Sequence, residues 1–125
     1  MIAYLRRELG TRLIRDLLLD EAHVCFAHAI NLCEVFYDFH RSHGPAFAIN
    51  VIDDLKLAGV IPSDGMSTRL WQTAATLKAV YKRVSLADCF CSALAIELEA
   101  TVLTADHHEF DQLVDQAVCR VQFIR

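Results

Sequence analysis

The stretch SLADCFCSALAIELEATVLTADHHEF, Ser85 to Phe110, decides the fold. Ser85 followed three residues later by an acid is a helix-start signature, and the residues after it are apolar on nearly every side until Glu97. A helix is therefore expected from the Ser85 cap to Glu99. The run Thr101–Thr104 is β-branched and reads as a strand. His107–Gln116 reads as a helical turn or two, and Val118–Ile124 as a last strand. Strands separated by helices imply a parallel sheet built from crossover connections.

The same alternation runs upstream. Ile2–Arg7 reads as the end of a helix stopped at Gly10, and Thr11 is placed to cap a second, with Leu13, Ile14, Leu17 and Leu18 on one face. A short strand is expected over His23–Ala27 and a long helix over Ala29–His43, closed by Gly44-Pro45. Another helix is expected over Ala46–Ala58, with Phe47, Val51, Leu55 and Ala58 in register and Gly59 as its stop. Val60-Ile61 is expected as a brief strand before Pro62, and Met66–Lys82 as helix. No linker, internal repeat or low-complexity tract interrupts this order, so residues 1–125 read as a single α/β domain.

Composition narrows the class. The chain has 125 residues, enough to bury a core without disulfide staples. No run approaches the roughly 18 apolar residues of a membrane span, and MIAYLRRELG is too short and too charged for a secretory signal. Cys25, Cys33, Cys89, Cys91 and Cys119 are odd in number, lie in apolar segments and form no C-x-x-C pair; they read as reduced core thiols of a cytoplasmic protein. A net charge of −4 argues against broad coating by nucleic acid but leaves room for local basic clusters, at Arg6, Arg7, Arg12 and Arg15 and again at Lys78, Lys82 and Arg83.

Three carboxylates stand at the edges of apolar elements. Glu34 sits in INLCEVFYD, Asp88 in the first turn of the Ser85 helix, and Asp106 just past the strand Thr101–Thr104. A carboxylate in apolar surroundings is costly unless paired, hydrogen-bonded or metal-bound. In an open parallel sheet, ligands bind outside the carboxyl ends of the strands, which predicts that all three acids face one pocket. Carboxylate oxygens suit Mg²⁺ or Mn²⁺ rather than zinc. Each acid also has a structural reading. Asp88 fits a capping box, Asp106 can cap the helix starting at His107, and Glu34 can pair with an arginine.

The wording AINLCEV, SLADCFCSALA and VLTADHHEF resembles the PIN domain, and especially the VapC-like toxin ribonucleases, over essentially all of residues 1–125. The resemblance implies a three-layer α/β/α fold with a short parallel sheet. It implies that Glu34, Asp88 and Asp106 bind Mg²⁺ or Mn²⁺ and support endonucleolytic cleavage of RNA, with Thr104 helping to shape the site. It also implies a homodimer and a small antitoxin protein as partner. One departure accompanies it. The family opens with a strand ending in Asp, central in the order 3-2-1-4-5, whereas Met1–Leu5 matches the helix that follows that strand, and no acid precedes Glu8. The expectations are a sheet without its middle hydrogen-bond partner and a ribonuclease of weakened activity, unless a further strand lies upstream.

The remaining chemistry-bearing residues read as structure. His40 and His43 lie in the last turn of their helix, where a cation is favoured, and His107 and His108 read as first-turn surface residues; no cysteine completes a zinc set with them. Phe36, Tyr37, Phe39 and Trp71 read as core or dimer face rather than stacking platforms for bases. The leading function is thus a Mg²⁺- or Mn²⁺-dependent endoribonuclease. The alternatives are a catalytically impaired PIN-fold interaction module that dimerises or binds an antitoxin, and, more weakly, a metal-dependent phosphatase.

Overall fold

In the computed structural model, which describes residues 1–125, the chain divides after Asp64, and each half carries one pair of parallel strands. The first unit, Met1–Asp64, runs α1 (Ile2–Leu5), α2 (Thr11–Leu19), β1 (Cys25–His28), α3 (Ala29–His43), α4 (Pro45–Leu57) and β2 (Val60–Ser63). The second, Gly65–Arg125, runs α5 (Thr68–Val80), α6 (Leu86–Glu97), β3 (Thr101–Thr104), α7 (His107–Asp115) and β4 (Arg120–Phe123).

Helical period builds the core of the first unit. Asn31, Val35 and Phe39 recur at four-residue steps on α3, and Ala48, Val51 and Leu55 line the facing stripe of α4; all are buried. Ala27 of β1 and Val60 of β2 close the same cluster, against which Leu18, Leu32 and Phe36 pack. His28 caps α3, its Nδ1 accepting from the Ile30 N–H at 3.2 Å. Gly44 joins α3 to α4 at φ +88°, a backbone state that costs a side-chain-bearing residue, while its N–H still closes on the His40 carbonyl.

Several expectations are corrected here. Thr11 does not cap α2 by accepting a hydrogen bond. Its hydroxyl donates to the carbonyls of Ala3 and Glu8, tying the α2 start to the end of α1. Strand β2 continues through Pro62 to Ser63, because Pro62 lies on an edge strand, where its missing N–H leaves no gap in the ladder. Phe47 is exposed rather than in line with Val51 and Leu55, and stacks on His43 with ring centroids 4.6 Å apart. Cys33 is exposed too, while Cys89 is fully buried, and all five cysteines are free.

The second unit is built around α6. Seven of its residues are buried, Ala87, Cys89, Phe90, Ser92, Ala93, Leu94 and Ala95, which fits a helix that is apolar on most sides. Leu70, Ala74 and Leu77 of α5 and Phe110 and Leu113 of α7 supply further buried stripes. Ser67 caps α5 through the Leu70 N–H at 3.1 Å.

The expected single sheet is found as two parallel pairs. Cys25↔Val60 to His28↔Ser63 register β1 with β2, and Thr101↔Arg120 to Thr104↔Phe123 register β3 with β4. These are the neighbours that the order 3-2-1-4-5 assigns to the matching strands. Each strand bonds only its one partner, so every strand has an edge with no ladder. No helix is long and apolar enough to cross a membrane.

Two leucines two residues apart on α4 test the core assignment. Leu55 is 1% exposed and Leu57 is 86% exposed. Leu55→Ala is expected to cost about 2–5 kcal/mol through lost burial and the cavity left behind. Leu57→Ala is expected to change stability by less than about 0.5 kcal/mol. Urea unfolding of both variants checks this.

Candidate metal centre

The second unit links two of the three sequence-predicted acids through hydrogen bonds. Ser85 is the hub. Its Oγ accepts from the Asp88 N–H at 3.1 Å, capping α6, and lies 2.8 Å from Asp88 Oδ2, to which it donates. Its own N–H donates to Glu109 Oε2 at 2.6 Å. The Glu109 N–H in turn donates to Asp106 Oδ1 at 3.0 Å, so Asp106 caps α7. Asp88, Ser85, Glu109 and Asp106 thus form one continuous chain across the starts of α6 and α7.

The strand end fixes Asp106 from the other side. The Asp106 N–H donates to Thr104 Oγ1 at 3.0 Å, and the Thr104 carbonyl accepts from the Ile124 N–H at 2.9 Å. Thr104 therefore shapes the turn that presents Asp106, while its backbone extends the β3–β4 pairing by one bond. Asp106 is exposed, and its Oδ2 lies outside these bonds. Asp88 is half-buried. The structural readings of both acids are realised: each makes a helix-start contact. These contacts also aim the carboxylates and hold their rotamers.

Glu34 lies in the first unit, in the second turn of α3, and is half-buried beside the buried Val35. In the same unit Arg6 is bonded to Asp38 at 2.6 Å and lies over the Phe39 ring. Neither unit by itself gathers three His, Cys, Asp or Glu side chains that could hold a metal ion.

Donor chemistry favours a hard cation. Burial pushes the Cys89 thiol up, and with it the cost of a thiolate beside Asp88. Asp88, Asp106 and Glu109 offer carboxylate oxygens near α6 and α7, with the exposed His108 beside them. His107 is a first-turn surface residue, as the sequence indicates, and its ring is held in place. Its ring stacks on Phe123 at 3.8 Å, Nδ1 lies 3.0 Å from Asp111 Oδ1, and Nε2 lies 3.0 Å from the Arg125 carbonyl. A ring pinned this way across β4 is a strut, and not a candidate ligand.

Glu109 is the site residue that sequence reasoning missed. The pattern Asp106-His107-His108-Glu109 is itself a capping box, in which an acid at the third position normally reaches back to the cap N–H. Here Thr104 occupies that N–H, and Glu109 reaches across to Ser85 instead.

The PIN domain profile matches residues 1–115. The chain belongs to the PIN domain family. Its fold is shared by solved toxin–antitoxin structures. DNA-bound VapBC from Salmonella typhimurium aligns with a TM-score of 0.72 at 17% identity, over 99% of this chain and 91% of that one. VapBC-1 from nontypeable Haemophilus influenzae gives 0.72 at 18%, over 98% and 92%. VapBC2 from Rickettsia felis, bound to a DNA fragment from its promoter, gives 0.70 at 15%, over 97% and 89%. At these identities the likeness is one of fold. No curated protein matches the sequence. In this PIN domain the segment Ser85–Phe110 carries the hydrogen-bonded acids Asp88, Asp106 and Glu109.

Two outcomes are expected. Glu109→Ala removes the acceptor of the Ser85 N–H and is expected to cost about 1–2 kcal/mol, whereas Glu109→Gln, which keeps an acceptor oxygen, is expected to lose less than half of that; chemical denaturation measures both. His107 is raised above its ordinary 6.5, first by the Arg125 carbonyl and then by Asp111. Its protonated form is therefore favoured by folding. Its stabilisation is complete below pH 6.5 and lost as pH rises through the raised folded value. An NMR titration should place His107 above its ordinary 6.5, and His107→Gln should flatten the pH dependence of stability in that window.

Proposed function

We infer that this PIN domain is a Mg²⁺- or Mn²⁺-dependent endoribonuclease of the VapC toxin type, with Glu34, Asp88 and Asp106 as metal ligands. The observation that carries the reading is the hydrogen-bonded chain from Asp88 through Ser85 and Glu109 to Asp106. It spans two helix starts and leaves Asp106 facing solvent. Glu34 joins the set on the family resemblance.

The residues fit a hard cation, as their oxygens and the disfavoured Cys89 thiolate indicate. A bound Mg²⁺ or Mn²⁺ supplies a Lewis acid at the phosphodiester and a water acidic enough to attack it near neutral pH. The chain's own groups do the rest. Ser85 holds Asp88 in one rotamer, and Thr104 and the Glu109 N–H hold Asp106. One of the carboxylates takes the proton of the attacking water.

A small antitoxin is the proposed protein partner, by analogy with the VapBC complexes that share the fold. A homodimer is proposed as well. Tyr37 and Phe47 leave aromatic surface open on the α3–α4 hairpin, 55% and 45% exposed. The second reading, a non-catalytic module that only dimerises or binds an antitoxin, rests on the same exposed surface.

Metal binding and cleavage separate the two. Millimolar Mn²⁺ is expected to raise the melting temperature, since ligand in hundredfold excess over Kd adds about 2.7 kcal/mol to the folded state. Asp88→Asn keeps the backbone N–H that Ser85 caps, so its fold should survive while the Mn²⁺ shift is lost. The parent should cleave a mixed RNA pool in Mn²⁺, and Asp106→Asn should not. Metal stabilisation without RNA cleavage would favour the interaction module.

A further inference from the structure

The turn that precedes the Ser85 cap carries two cations with no partner. Lys82 and Arg83 are exposed, and neither forms an ion pair or a side-chain hydrogen bond. They stand between the end of α5 and the start of α6. Arg83 is two residues before Ser85, a span of at most about 7 Å. We propose that Lys82 and Arg83 are the contacts by which this chain grips the backbone phosphates of single-stranded RNA beside Asp88, an inference that rests on the ribonuclease reading above.

The turn itself is held rigid. The Tyr81 N–H donates to the Leu77 carbonyl at 2.7 Å and the Val84 N–H to the Tyr81 carbonyl at 3.0 Å. The Val84 side chain is fully buried. Lys78 braces the turn from inside, its Nζ donating to the Val84 carbonyl at 2.6 Å and the Lys82 carbonyl at 3.0 Å. On the far side the Ser85 N–H is bonded to Glu109. The Tyr81, Val84 and Ser85 N–H groups and the Lys82 and Val84 carbonyls are thus tied, while the Lys82 and Arg83 side chains are exposed to water. Cations on a fixed turn bind at a lower ordering cost than cations on a loose one.

The nearby acids do not quench them. Asp88 and Glu109 are the closest carboxylates in sequence and hydrogen bonding to this turn, and both are turned onto Ser85. In the first unit the balance is different. Arg6 is bonded to Asp38, Arg15 to Asp16 and Lys56 lies near Asp53. Lys82 and Arg83 therefore keep their full charge for an outside anion. The protein is acidic overall, at −4, so a polyanion gains only where cations dominate within about 10 Å, the screening distance at 0.1 M salt. On this turn Lys82 and Arg83 are exposed, while the carboxylates beside it, Asp88 and Glu109, are half-buried and hydrogen-bonded to Ser85. Phosphodiester oxygens, rather than bases, match two solvent-facing point charges with no aromatic platform on the same turn beyond the half-buried Tyr81.

The test is the salt dependence of RNA binding by the full chain in EDTA, read by fluorescence anisotropy of a labelled single-stranded RNA of mixed sequence. Each phosphate contact on a single strand contributes about 0.7 to the slope of log K against log salt. The double variant Lys82→Ser/Arg83→Ser is expected to flatten the slope by about 1.4 and to weaken binding at 0.1 M salt at least tenfold. Its melting temperature should stay at the parent value, because the hydrogen bonds of the turn come from backbone and Lys78. The charge-preserving Lys82→Arg/Arg83→Lys and Arg12→Ser, in the first unit, should keep the parent slope. If the parent binds and cleaves RNA while the double serine variant keeps the parent slope, this assignment is wrong and the ribonuclease reading stands. If the parent neither binds nor cleaves RNA, both fall together.

Discussion

One hydrogen bond organises the chemistry-bearing half of this protein: the Ser85 N–H to the Glu109 carboxylate, 2.6 Å long and twenty-four residues apart in sequence. It joins the start of α6 to the start of α7. A charged acceptor makes it stronger than a neutral bond, and its loss would strand a half-buried N–H. Because Ser85 also holds Asp88, and Glu109 also donates to Asp106, both acids depend on it. The packing beneath, through Val84, Ala87, Phe110 and Leu113, supplies stability without specifying where those carboxylates go.

The distribution of charge follows from how each group is spent. Lys78, grouped by sequence with Lys82 and Arg83, uses its ammonium on two backbone carbonyls and is no longer available to a ligand. Arg6 is spent on Asp38. What remains is a pair of free cations on one side of the Ser85 cap and two held carboxylates on the other. That juxtaposition of anion-attracting and cation-attracting groups is what a metal-assisted attack on a phosphodiester needs.

Much of this was legible in the sequence. Ala29–His43 and Thr101–Thr104 are found with their expected limits, since strong helical period and β-branching coincide there with clear stops. The Ser85 cap was equally plain. The misses share a cause: they depend on partners distant in the chain. Glu109 satisfies a local capping pattern but is redirected because Thr104 already holds the Asp106 N–H. His107 is on the surface, as read, but its contacts with Phe123 and Arg125 depend on the fold bringing the end of the chain beside it. Pro62 looks like a strand stop, and only its place on an edge lets β2 continue. The pairing of four strands as two separate ribbons is likewise a tertiary outcome that periodicity alone does not specify.

The central claim is that Asp88 and Asp106, aimed by Ser85, Thr104 and Glu109, bind the same divalent cation. Paramagnetic broadening by Mn²⁺ in the amide NMR spectrum tests it most directly. At substoichiometric Mn²⁺ the amides of Ser85–Asp88 and Asp106–Glu109 should broaden together and before the rest of their unit, and Asp88→Asn should abolish both effects. Broadening confined to one of the two segments, or appearing first elsewhere in the unit, would contradict the account.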